Sequence, residues 1–234
     1  MAEIHGFKDR CEAGELLAER LAPYAGRADA LALALPRGGV PVAFALARRL
    51  GIALDILVVR KLGMPHHPEL AMGAIGSGGV RMLQPGVPGL MGVTQDDVDI
   101  VAARELAELE RRERAYRGER PPLRLAGRSA ILVDDGVATG ASMLAAIDVA
   151  RRLRPRELVL AIPVAPPDTL QALAPRVDAL VCLLAPPCFR AVGKWYERFD
   201  QTSDAEVQDL LEATWNGASG PGKTSDDMRR GPRP

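Results

Sequence analysis

Apolar and polar positions fall in blocks along this chain, and the blocks change period. Residues 31–35, Leu-Ala-Leu-Ala-Leu, are continuously apolar and stop at Pro36-Arg37-Gly38-Gly39. Such a run reads as a buried strand ending in a turn. Residues 40–50 follow with helical spacing, with Pro41 in the first turn and Gly51 as the C-cap. Residues 54–59 give a second β-rich run. Strand, helix and strand in this order make a βαβ unit, with parallel pairing and a right-handed crossover. The pattern then returns: a strand over 130–133, a helix over 142–153, a strand over 157–164, a short helix over 169–174 and a strand over 177–184. The alternation predicts an α/β fold, a central, mostly parallel sheet flanked by helices. Ligands of such sheets bind beyond the carboxyl ends of the strands, near a switch in strand order. Pro36-Arg37-Gly38-Gly39, Arg60-Lys61 and Asp134-Asp135-Gly136 all read as lying at such ends.

The middle of the chain breaks this pattern. Residues 62–92 are rich in Gly and Pro, and 71–83 predict a hairpin about Gly76-Ser77-Gly78-Gly79. A Gly-rich hairpin inserted in an α/β core is a candidate lid, here residues 62–92. Residues 95–117 predict a charged helix with Thr94 as N-cap and a solvated Arg/Glu face, and residues 12–21 an amphipathic helix. Residues 1–215 are expected to form one domain, and 216–234, without apolar periodicity, a disordered tail.

Charge changes the picture little. Thirty basic and thirty acidic residues balance, so no global field points to nucleic acid or an anionic membrane. Cys11, Cys182 and Cys188 make no CxxC pair and suit a reducing compartment, with Cys182 inside an apolar run. No apolar run reaches the roughly 20 residues of a membrane span, and residues 1–10 lack a signal-peptide core. The expected address is the cytoplasm.

The densest chemistry lies at Ile131-Leu132-Val133-Asp134-Asp135-Gly136-Val137-Ala138-Thr139-Gly140-Ala141-Ser142. Gly136 and Gly140 let backbone N–H groups approach an anion, Thr139 and Ser142 add hydroxyls, and the helix that follows points its positive end at the same place. No Gly-Lys-Ser/Thr follows, so this is not a Walker loop, and the first strand has no GxGxxG. Two carboxylates beside a phosphate cradle can accept hydrogen bonds from the 2′- and 3′-hydroxyls of a ribose. An Asp-Asp-Gly turn alone would be an ordinary acidic strand end; the whole run is more specific.

The segment 130–142 closely resembles the phosphoribosyl-diphosphate (PRPP) signature of type I phosphoribosyltransferases. The opening Phe7-Lys8-Asp9-Arg10 with Glu12-Ala13-Gly14, and Trp195-Tyr196 with Phe199-Asp200, are similar to a bacterial group of stand-alone predicted phosphoribosyltransferases. The resemblance covers residues 7–211. It implies that fold, with a flexible hairpin and a small hood, and a transfer of the 5-phosphoribosyl group from PRPP to an acceptor such as a nucleobase. Asp134 and Asp135 would bind the ribose hydroxyls, and Gly136, Val137, Ala138, Thr139, Gly140, Ala141 and Ser142 the 5′-phosphate. Arg37, Gly38 and Gly39 would form the diphosphate loop, with a non-proline cis peptide, and Lys61 would stand near the diphosphate. Arg37, Lys61, Asp134 and Asp135 would be the catalytic set. Mg²⁺ would be carried by PRPP, with Asp134 or Asp135 its nearest protein groups. A homodimer is expected by analogy, and no purine- or orotate-reading hood motif matches. The alternative is a PRPP- or nucleotide-binding regulator that lost catalysis; no helix-turn-helix or basic stripe supports it.

Several sharper readings stay open beside bland ones. His66-His67 with Glu69 have no third ligand at metal spacing, so they read as lid residues that meet substrate or as solvated loop. Arg37 could pair with a surface acid. Trp195 and Tyr196 could stack on an acceptor base or close the edge of the core.

Overall fold

The computed structural model describes residues 5–217, apart from residues 66, 85, 87, 88, 90 and 91. In chain order its elements are α1 (Arg10–Arg20), β1 (Ala30–Ala34), α2 (Gly39–Leu50), β2 (Ala53–Ile56), β3 (Val59–Met64), β4 (His67–Gly76), β5 (Val80–Leu83), α3 (Gln95–Arg117), β6 (Ser129–Val133), α4 (Ala141–Arg152), β7 (Glu157–Val164), α5 (Pro167–Leu173), β8 (Ala179–Leu184) and α6 (Asp204–Gly217). β2, β1, β6, β7 and β8 pair in that order into one parallel sheet. Its central strands are buried on both faces, which is why they read as unbroken apolar runs. Ala30, Ala32 and Ala34 share a cluster with Val42, Ala43 and Leu46 of α2, while Leu31 and Leu33 join Met143, Ile147 and Ala150 of α4. Alternate side chains of one strand therefore serve two helix layers.

From β1 the chain steps to β2 on one side, and it returns in β6 on the other side. The strand order thus reverses between β1 and β6, which opens a crevice over their carboxyl ends. Their register brings those ends level, with Ala34 opposite Val133 and the Leu35 N–H donating to the Val133 carbonyl at 2.9 Å.

Periodic segments emerge close to their expected bounds. The long charged helix α3 starts in a capping box of Thr94 and Asp97 and carries Arg111 and Arg112 on Glu108. The largest difference lies after β2. The apolar run 54–59 is not one strand, because the chain turns at Leu57 and Val58 and enters a second, antiparallel sheet of order β3-β4-β5. Ser77, buried, fixes that corner: its hydroxyl accepts from the Val58 N–H at 2.9 Å, and its own N–H donates to the Val58 carbonyl at 2.9 Å. Arg60 and Lys61 therefore lie within β3 and not at the end of a core strand.

Parts of the segment expected as a lid are anchored in the core. Leu62 and Met72 are fully buried in the cluster that also holds Val98, Ala102 and Leu109 of α3. Arg60 joins this face through Glu105, at 2.6 Å. Leu62→Ala should lower stability by about 2–5 kcal/mol. Thermal unfolding checks this; a free loop residue would shift the midpoint hardly at all. Residues 216 and 217, expected in the tail, are helical, and the rest of the tail lies outside the described residues.

Near the ends of the described chain two segments meet. The Phe7 N–H donates to the Trp195 carbonyl, the Glu197 N–H to the Phe7 carbonyl and the Arg198 N–H to the Lys8 carbonyl. Among the described residues no helix is long and apolar enough to cross a membrane.

Candidate functional site

The crevice between β1 and β6 receives two loops. Residues 35–38 leave β1 through a cis peptide between Pro36 and Arg37, and Gly38 leads directly into α2. Asp134 and Asp135 leave β6 beside them. The fit between the two loops is close. A Cβ built on Gly38 would lie 2.1 Å from Asp135 Oδ2, and one on Gly39 would lie 2.7 Å from the Val133 carbonyl oxygen and 2.9 Å from Asp134 Cα. Only a loop without side chains can pass this near the acids.

Each acid has one carboxylate oxygen engaged. Asp134 Oδ1 accepts the N–H of Asp135 at 2.9 Å. Asp135 Oδ2 accepts the Nε N–H of Arg10 at 2.9 Å, and the Nη2 of the same guanidinium lies 2.8 Å from it. Burial pushes the Asp134 carboxyl well above its ordinary value, and the Asp135 charge beside it adds to the rise. Asp134 keeps some solvent-accessible surface, yet protein atoms enclose it densely. Burial also raises Asp135, against the pull of Arg10. Adjacent carboxylates in a poorly hydrated place bind hydroxyls or a cation avidly, since either offsets their lost solvation.

Beyond the acids the chain forms the expected small-residue loop. Gly140 has φ +81° at the N-cap of α4, and no side chain caps that helix. Its first-turn N–H groups are thereby open to an anion. Ala138 and Thr139 are exposed, as are Ala141 and Ser142, while the Thr169 hydroxyl braces the loop by donating to the Ala138 carbonyl at 2.7 Å. Val137 differs from expectation. It is buried, and its N–H is spent on the Val164 carbonyl at 2.9 Å, so it offers no donor to a ligand.

The other expected residues are placed less centrally. Arg37 is partly exposed, and its nearest acid is Asp204 at 3.9 Å, a loose pair. Lys61 shares with Ala141 and Ser142 the wall of a cavity of about 580 Å³ between β3 and α4, which reaches neither acid. His67 opens β4 exposed, while His66 and the side chain of Glu69 lie outside the described residues. Tyr196 is buried between Phe7 and Phe199, and its hydroxyl donates to the Asp135 carbonyl at 2.6 Å. Burial lifts its phenol far above the ordinary range. Tyr196 therefore closes the core edge and supports the acid, and does not present a face to an acceptor. Sequence reasoning missed Arg10 as a site residue. It lies 125 positions from Asp135, so no local spacing signals the pair.

A five-stranded parallel sheet thus carries an acid pair and a glycine loop at its switch point. The chain belongs to the phosphoribosyl transferase domain family, whose model matches residues 8–183. Two Mycobacterium tuberculosis proteins, from strains CDC 1551 and H37Rv, are each named "Putative phosphoribosyl transferase". Each is 48% identical over 206 residues, which is 88% of this chain and 46% of theirs. The chain thus spans about half the length of the curated relatives it matches. Among solved structures it is similar to TT1426 from Thermus thermophilus, with a TM-score of 0.79 and 45% identity over 89% of this chain and 99% of that one.

Proposed function

We propose that this protein transfers the 5-phosphoribosyl group of PRPP to a small acceptor, such as a nucleobase, and releases diphosphate. The observation that carries this reading is the contact between the two loops: Gly38 and Gly39 lie directly against Asp135 and Asp134. That juxtaposition would put a diphosphate and a ribose diol side by side at C1. In this reading the free oxygen of each acid accepts one ribose hydroxyl. The 5′-phosphate lies on the N–H groups and hydroxyls of Ala138, Thr139, Gly140, Ala141 and Ser142 at the head of α4, with Gly136 leading into the turn. Arg37 and the N–H of Gly38 hold the departing diphosphate, since the Gly39 N–H is spent on the Leu35 carbonyl at 3.1 Å and Lys61 lines a cavity that reaches neither acid.

The C1–O bond breaks with positive charge developing on the sugar. The electron pair leaves with the diphosphate oxygen, and a lone pair of the acceptor, commonly a base nitrogen, forms the new bond to C1. The protein's part is electrostatic, since cations at the leaving group lower the barrier and a covered site keeps water from the sugar cation. With one oxygen of each acid already engaged, Asp134 and Asp135 cannot surround a metal alone. They fit an ion carried in on PRPP oxygens. When bound, Mg²⁺ would neutralise the diphosphate. The parts of the segment 62–92 outside its buried anchors Leu62 and Met72 are the parts proposed to cover the site. All three cysteines are free, which supports the cytoplasmic address; a homodimer is proposed on the family's habit.

Incubation with PRPP, Mg²⁺ and a panel of nucleobases, followed by diphosphate release, tests the reading. Acceptor-dependent release is expected. PRPP binding without turnover on any acceptor would favour the regulator, and no PRPP binding would overturn both.

A further inference from the structure

The Arg10 guanidinium is held on three sides. Nε donates to Asp135 Oδ2 at 2.9 Å with Nη2 2.8 Å from the same oxygen, Nη1 donates to the Asp200 carbonyl at 2.7 Å, and Cζ lies 3.9 Å from the centre of the Phe199 ring. Its side chain is 12% exposed, and that of Asp135 is 14% exposed. The same acid is gripped through its main chain, where Tyr196 donates to its carbonyl. Arg10 opens α1 and the aromatic residues belong to the 189–200 stretch, so two segments remote from the sheet converge on one carboxylate. Asp134 is held differently: its Oδ1 accepts the next residue's N–H at 2.9 Å.

This arrangement decides which oxygen can serve a ligand. Oδ2 is occupied by Arg10 and faces Gly38, which leaves Oδ1. A carboxylate at a strand end otherwise rotates about its side-chain torsions, and a hydroxyl acceptor that rotates loses directional bonding. We infer that Arg10 is a positioning residue: it locks the Asp135 carboxylate so that Oδ1 alone accepts a single hydroxyl of the bound sugar. The inference rests on the proposed function, since it concerns how the same site holds its sugar. Arg10 itself touches no substrate atom in this scheme and acts through Asp135.

Two ligands separate this role from general support of the fold. PRPP carries the sugar, and magnesium diphosphate carries only the anion. Calorimetry on the full chain should show Arg10→Gln weakening PRPP about tenfold, as removing the partner of a site ligand does, with a far smaller loss for diphosphate. Phe199→Leu, which removes the stacking surface and leaves both charges, should show the same selectivity at reduced size, and it decides the matter if Arg10→Gln does not fold. Equal losses for the two ligands, or no loss for PRPP, overturn the inference and leave the proposed function standing. A wild-type protein that binds diphosphate and not PRPP overturns the proposed function and this inference with it.

Discussion

Gly38→Ala is expected to remove PRPP binding while leaving the protein folded. The added methyl carbon would sit 2.1 Å from Asp135 Oδ2 and 2.6 Å from its carboxyl carbon, closer than any side-chain carbon is found. Asp135 must move, and its pair with Arg10 at 2.8 Å breaks with it. The backbone gives no reason for the fold to fail. Gly38 has φ −59° and ψ −33°, where alanine is at ease and glycine holds no advantage. The broken Arg10 pair lowers stability by about 1–3 kcal/mol, and the larger loss falls on the site. Displacing a reacting or binding group by an ångström costs on the order of 100-fold. Gly39→Ala should behave differently, because its methyl would meet backbone of Val133 and Asp134, which cannot swing away. Overpacking of that kind costs about 1–3 kcal/mol. Calorimetry with PRPP and Mg²⁺, beside thermal unfolding of both variants, checks this: for a similar drop in the unfolding midpoint, Gly38→Ala should lose far more binding than Gly39→Ala.

The acid pair should show binding and stability moving apart. Asp134→Asn and Asp135→Asn are each expected to weaken PRPP by roughly 10- to 100-fold, the worth of a hydrogen bond to a charged group. Their stabilities should diverge. The Asp134 carboxyl is raised by burial first and by its neighbour's charge second. A raised carboxyl means that the folded protein holds the proton more tightly than the unfolded chain. The bare charge thus opposes folding at neutral pH, and this opposition fades as pH falls through the folded value. Asp134→Asn should match or exceed the wild-type unfolding midpoint at neutral pH, with the gap closing as the solution is acidified. Asp135→Asn strands Arg10, which is mostly buried, and should lose about 1–3 kcal/mol. A site that gains stability when disabled is one shaped for a ligand.

Much of this architecture is legible in the chain. Buried central strands must be apolar on both faces, so residues 31–34 and 130–133 announce themselves, and the acids and glycines that follow stand out against them. Helices α2 and α3 carry their own caps in Gly51 and Thr94. What stayed hidden depends on long-range contacts. The corner at Leu57 and Val58 is set by Ser77, nineteen positions on, and an apolar run cannot show a bend that a distant hydroxyl imposes. Val137 sits in a loop of exposed small residues, but its side chain is large enough to be drawn into the core, which turns its N–H away. Arg10 and Tyr196 reach the second acid from opposite ends of the sequence, with Phe199 against Arg10, and only the folded chain brings them together.

The central claim is that two carboxylates at one rim of the sheet read a sugar diol whose phosphate rests at the head of α4. Comparing ribose 5-phosphate with 2-deoxyribose 5-phosphate on the wild-type protein by calorimetry tests it most directly. The two ligands share the phosphate and differ by one hydroxyl. Ribose 5-phosphate should bind about tenfold or more tightly, since a buried charged acceptor is left unpaired by the deoxy sugar, and that preference should vanish in Asp134→Asn with Asp135→Asn combined. Equal affinity for the two sugars on the wild-type protein would contradict it.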